Sequence, residues 1–167
     1  MPLYNFVEWL AATPASIALH ESRYLYLIVL TTHVLTLFLF IGAIILQSLR
    51  LIGFGLTGVS ASDVLSRLRP WTIAGFIIMA LSGSLLFFAA PVDKIVNTFF
   101  RTKLLLILLA GVNVLLFNRT IYVQIGAWDL ATRPPRAAQL TGSISLLLWA
   151  GVIAAGRMIP YQDYWFD

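Results

Sequence analysis

Four apolar blocks, each near the roughly 20 residues a helix needs to cross a bilayer, make up most of this 167-residue chain. They fall at about Tyr24–Leu51, Trp71–Ala90, Lys103–Val123 and Leu140–Ile159. Pro70 and Pro91 bracket the second block and suit helix ends, and Pro160 closes the fourth. What remains between them is too short for a soluble domain. The chain therefore reads as one transmembrane domain over residues 1–167. Its fold class is all-α: an integral membrane four-helix bundle, with an N-terminal interfacial amphipathic helix. Composition agrees, because 60% of the residues are hydrophobic and only 11% are charged. Soluble domains carry about 25% charged residues.

The segment before the first block, "LYNFVEWLAATPAS", places Leu3, Phe6, Val7 and Leu10 at helical spacing. Tyr4 and Trp9 suit the headgroup layer, so residues 3–12 are expected to lie on the membrane surface. Pro14 should end that helix and Ser16 should cap a new one running into the first span. The link "GVSASDVLSRLRP" has Ser60 three residues before Asp63, which predicts a short surface helix over Ala61–Leu68. No basic stretch precedes the first apolar residues, so no cleavable signal peptide is expected. No internal repeat is present.

Charge sets the expected direction. One pair of links carries six arginines (Arg50, Arg67, Arg69, Arg119, Arg133, Arg136) against Asp63 and Asp129, net +4. The opposite side carries five basic residues against five acidic ones and is neutral. Basic loops stay in the cytoplasm, which puts both termini outside. The pI of 9.8 comes from these flanking residues and from headgroup contacts, not from a nucleic-acid surface.

The chain has no cysteine, which removes disulfides, thiolate metal sites and covalent haem attachment. No GxSxG, HExxH, phosphate loop or inward pair of carboxylates is found, so hydrolase and transferase chemistry has no residues to use. The chemistry-bearing candidates are polar groups inside the spans. Counting about 1.5 Å per residue from the span ends puts His33 about 13–14 Å deep, Ser82 at a similar depth, Asn113 at about 15 Å and Trp149 at about 16–17 Å. Each span thus offers one polar-capable side chain to a common slab, with Met79 one turn deeper. On the first span, Ser22, Tyr26, His33, Phe40 and Gln47 share one stripe, which should turn inward. His20 lies about 140° round the helix from His33, so the two cannot clamp one cofactor from a single face. Small residues Ala150, Gly151, Ala154, Ala155 and Gly156 thin the fourth helix beside Trp149, and Arg157 sits near its outer end.

These residues are compatible with more than one role. His33 is able to ligate haem iron, with Met79 as a possible second ligand and Arg157 meeting propionates. Equally, His33 is able to bond Ser82, Asn113 or Trp149 and pin the bundle. Met79 then fills a gap and Asn113 joins two helices. A third role is a metal or proton pathway using His33 and Glu21.

The pattern "ESRYLY…THVLTLFLFIG…LQSLRLIG", "RLRPWTIAGF…SGSLLFF", "FFRTKLLLILLAGVN" and "LLLWAGVIAAGRMIPY" resembles a family of small, uncharacterised four-span proteins of the bacterial inner membrane. The resemblance covers nearly the whole chain and implies fold and location but no reaction. More distantly, a histidine in the first span of a helical bundle is similar to the copper-resistance membrane proteins and to the haem-binding protoporphyrinogen oxidase of bacteria. Those carry further histidines in their spans that this chain lacks.

The expected function is that of a small membrane protein binding a b-type haem in the outer half of the bilayer. It would work in electron transfer or as a subunit of a respiratory assembly. Cofactor-binding residues would be His33, Arg157, Met79, Asn113 and Trp149, with His33 the metal ligand. The alternative is a cofactor-free structural protein whose polar layer is a packing device. The expected partners are membrane lipid and a homo-oligomer or larger membrane complex, with no nucleic acid.

Overall fold

The computed structural model describes residues 2–166. Eight α-helices follow one another: α1 (Pro2–Ala11), α2 (Pro14–Glu21), α3 (Arg23–Ile52), α4 (Ala61–Ala89), α5 (Pro91–Val96), α6 (Thr98–Leu116), α7 (Arg136–Met158) and α8 (Gln162–Phe166). No strand occurs among the described residues. Four helical stretches are long and apolar enough to span a bilayer: Arg23–Ile52, Ala61–Ala89, Thr98–Ala127 and Arg136–Phe166. The protein is a multi-pass membrane protein built on an all-α four-helix bundle.

Local chemistry sets the helix ends. Ser22 breaks the chain between α2 and α3 and accepts the Leu25 N–H, capping the first span. Thr13, not Ser16, caps α2. Ser16 instead donates to the Phe88 carbonyl at 2.7 Å, and His20 Nδ1 lies 2.9 Å from the Ala89 carbonyl. Both serve orphan acceptors at the C-terminal end of α4. The α1–α2 hairpin therefore sits on the end of α4, with Val7 buried and Phe6 and Trp9 exposed. A helix forms where the interfacial one was expected, one residue early at each end; the side chain of Leu3 lies outside the described residues.

Pro70 does not start the second span. α4 runs unbroken from Ala61 to Ala89 with Pro70 inside it, so the expected surface helix and the span are one element. A proline is tolerated within membrane helices where neighbouring groups compensate. Nearby, the Thr72 hydroxyl donates to the Arg69 carbonyl at 2.9 Å. The third span begins earlier than Lys103. Asn97 caps α6 by accepting the Phe100 N–H at 3.0 Å, and its amide donates to Ile159 at 2.9 Å, tying α6 to the end of α7. Past Leu116, α6 loosens into a π-turn (Phe117–Ile121) and a 3₁₀ turn (Tyr122–Ala127).

The helices pack in the order α4–α3–α7–α6. Gly142 lets α7 approach α3, since a Cβ there would fall 2.9 Å from the Ser48 carbonyl. Gly75 does the same for α4 against Phe40. The core is Phe40, Met79, Ala110, Trp149 and Val152, and Phe40 meets Trp149 edge to face with centroids 4.6 Å apart. Among the described residues, α4 and α6 form no comparable seam. They are joined at their ends: Phe87 stacks on Phe100 at 5.7 Å near the face bearing the termini. Leu65, Phe117, Tyr122 and Trp128 cluster near the face bearing the long loops.

Candidate functional site

The slab of four polar residues separates into pairs. His33 Nδ1 and Ser82 Oγ lie 2.8 Å apart, joining α3 to α4. The same serine is 2.7 Å from the Ile78 carbonyl, an acceptor that claims its only hydrogen. In the tautomer that protonates Nδ1, that N–H donates to Ser82 and Nε2 is left unprotonated. Asn113 donates to the Thr141 carbonyl at 3.1 Å, joining α6 to α7. Because α6 starts at Thr98, Asn113 lies fifteen residues along it, about 22 Å from its start. That is nearer the loop face than the slab estimate, which counted from Lys103. Trp149 is buried against Phe40, and Met79 is buried in the same cluster.

Arg157 lies at the surface and folds onto Tyr161. Its guanidinium donates to the tyrosine hydroxyl at 3.2 Å and sits 5.2 Å from the ring centroid. The space beside Gly156 is taken by the stem of Lys103, 3.7 Å from where a glycine Cβ would be. The five residues expected to hold a haem therefore do not frame one site. Only Asn113 and Trp149 line a common cavity, and His33, Met79 and Arg157 do not. No group of three or more metal-ligating side chains occurs among the described residues.

The shared cavity is a cleft of about 390 Å³ between α4 and α6, floored by α3 and α7. It lies in the half of the bundle nearer the long loops. Its residues form two tiers when depth is counted from that face at about 1.5 Å per residue. Gln47 and Thr141 lie about 7–8 Å in, and Arg69 and Ser145 about 12–14 Å in, which makes a polar tier with Asn113 and Ser48. Phe40 and Trp149 lie about 18–20 Å in, and with Phe76, Ile77 and Ile107 they make an apolar tier. Among the described residues, Gln47, Ser48, Ser145, the Trp149 indole N–H and the Arg69 guanidinium make no hydrogen bond within the chain, and the Asn113 carbonyl oxygen receives none. Gly111 faces the same space, and a Cβ there would meet nothing within 4 Å.

Beyond the loop-side end of the cleft, Arg50 ties the two long loops together. This residue is fully buried, and its guanidinium donates to the Val59 and Asp129 carbonyls at 2.8 Å and to the Ala131 carbonyl at 3.3 Å. A buried charge is tolerable when it is hydrogen-bonded, here through each of its three nitrogens, and the C-terminal end of α3 favours a cation as well. The Asp129 carboxylate accepts the Ser62 backbone N–H at 2.7 Å and its hydroxyl at 2.8 Å. Those bonds, first the N–H, and the nearby Arg50 charge hold Asp129 below the usual carboxylate range.

Charge counting treats Arg50 and Arg69 alike as loop cations, which hides both roles. The signal for Arg69 is present in the pattern "DVLSRLRPWTIAGF", but only if the helix is carried through Pro70. Fold and site together define a multi-pass helical membrane protein with a lateral, two-tier cleft. No family model, no curated protein and no solved structure matches this chain.

Proposed function

We propose that this protein binds a small lipophilic molecule in the cleft between α4 and α6. The observation that supports it is the convergence of uncommitted polar groups on a space within the membrane span. Hydrocarbon offers such groups no partners, so each left unpaired is costly. A cleft of this size falls among small-molecule sites, which are mostly apolar with a few placed polar groups. Extraction of the detergent-purified protein with organic solvent, followed by mass spectrometry, tests the reading. The wild type should carry a lipophile that Gly111→Phe, which fills the cleft, loses; identical extracts would sink it.

A second reading has one specific support. The His33 ring is oriented through Nδ1 by Ser82, as ligating histidines are oriented by outer hydrogen bonds, and the tautomer that protonates Nδ1 offers Nε2 to a metal. A b-type haem would then be held by His33 at the bundle surface or between two copies, as part of an electron-transfer assembly. It would not draw on Met79 or Arg157. A reduced-minus-oxidised spectrum of protein made with full haem supply decides this. Bands that His33→Ala abolishes support it, and a featureless spectrum removes it.

The bacterial inner membrane as location, with both termini outside, is proposed with either reading. It rests on the basic balance of the two long loops.

A further inference from the structure

We propose that the cleft takes an anionic acyl-chain amphiphile from the bilayer, its charged head in the polar tier at Arg69 and its chain in the apolar tier against Phe40 and Trp149. This rests on the cleft being the binding site argued above, and it names the chemistry of the occupant.

Entry comes from the side. The two ends of the α4–α6 seam are closed, one by the Phe87–Phe100 stack and the other by the cluster around Phe117 and Tyr122 beneath the Arg50 clamp. Between those ends the cavity is lined from both α4 and α6, which meet there in no helix–helix seam. A molecule that reaches the cleft between these helices arrives from lipid, and it has an apolar part.

Charge selects the head. Among the described residues, Arg69 is the only charged one lining the cleft, and no carboxylate lines it. The nearby acids are already engaged: Asp63 pairs with Arg67 at 2.7 Å, and Asp129 is held by Ser62. Arg69 makes no ion pair among the described residues. Arg69 is exposed at the cleft, about 12 Å along α4 from Ala61. A guanidinium there is complementary to a carboxylate or phosphate oxygen. Gln47, Asn113 and Ser145 stand at neighbouring depths to serve the remaining head oxygens and hydroxyls.

The tiers also fit the length of such a molecule. From Arg69 to Ile77 is about 12 Å along α4, and Ile73, Phe76 and Ile77 line the cleft on that path. Trp149 sits at the chain end of that path, so it reports what occupies it.

The test uses the whole protein in phosphatidylcholine nanodiscs. Brominated stearic acid, brominated phosphatidylglycerol and brominated phosphatidylcholine are titrated in, and quenching of Trp149 is read as the difference between wild type and Trp149→Phe. One or both anionic probes should quench Trp149 at lower mole fraction than phosphatidylcholine; the stronger of the two identifies carboxylate or phosphate as the head. Arg69→Gln should weaken that advantage about fivefold, the value of one basic residue near an anionic lipid surface, and Arg69→Lys should keep most of it. Gly111→Phe should abolish quenching by every probe. Equal quenching by all three, unchanged by Arg69→Gln but lost in Gly111→Phe, overturns the anionic occupant and leaves the cleft standing. Quenching that survives Gly111→Phe removes the cleft as a site, and this proposal with it.

Discussion

His33 on α3 and Ser82 on α4 meet through a 2.8 Å hydrogen bond that crosses the helix interface inside the membrane span. Gly83 makes room for the ring, because a Cβ there would lie 3.3 Å from His33 Cε1. The histidine is thus held in place by its packing and by one hydroxyl.

That bond should carry a measurable coupling. Polar side-chain pairs between membrane helices average about 0.6 kcal/mol and reach about 1.7 kcal/mol. A double-mutant cycle with His33→Phe and Ser82→Ala, read by unfolding in mixed detergent, should return a coupling within that span. A coupling of zero would mean the two side chains act independently.

Arg50 should be the most sensitive single position. Arg50→Met leaves the Val59 and Ala131 carbonyls without their donor and the Asp129 carbonyl with only the Ala61 N–H. Each buried acceptor left unsatisfied costs about 1–3 kcal/mol. Arg50→Lys should rescue little, since one ammonium cannot reproduce the planar fork that reaches two loops. Hydrogen exchange at residues 53–60 and 128–135 should rise in both variants. Unchanged exchange would show that the loops hold without it.

Asp129 makes the loop clamp sensitive to acid. Its pKa is depressed in the folded protein, so the stabilisation is present above the ordinary aspartate value of about 3.9 and is lost as pH falls through the lower folded value. The Ser62 amide should therefore be protected at neutral pH and lose protection only below about pH 4. Asp129→Asn should start with weaker protection and show no acid step. An identical acid profile in Asp129→Asn would assign the step to another group.

The absence of native cysteine makes topology easy to read. Gly58 is exposed on the loop between α3 and α4, and a side chain there meets nothing. In intact cells, Gly58→Cys should resist a membrane-impermeant maleimide until the cells are opened, while Tyr164→Cys should label at once. The reverse pattern would invert the proposed orientation.

The four spans and the inward stripe of α3 were legible in the sequence because both are properties of one helix. Length and apolarity define a span, and a 3.6-residue period places Phe40, His33 and Gln47 on one side wherever the neighbours lie. The capping role of Ser60 was legible for the same local reason. Other features depended on which helices become neighbours. Depth counted from Lys103 put Asn113 level with His33, but Asn97 starts the helix five residues earlier and carries Asn113 toward the loops. Pro70 looked like a helix start, yet in this bundle the helix continues through it and turns Arg69 from a loop charge into a cleft residue. Which polar groups found partners was likewise a matter of packing. Ser82 was placed to take His33, and Thr141 to take Asn113. The missing α4–α6 seam left Gln47, Ser145 and Arg69 facing a cleft instead of a helix. Periodicity fixes the face a side chain occupies, and only the arrangement of the other helices decides what that face meets.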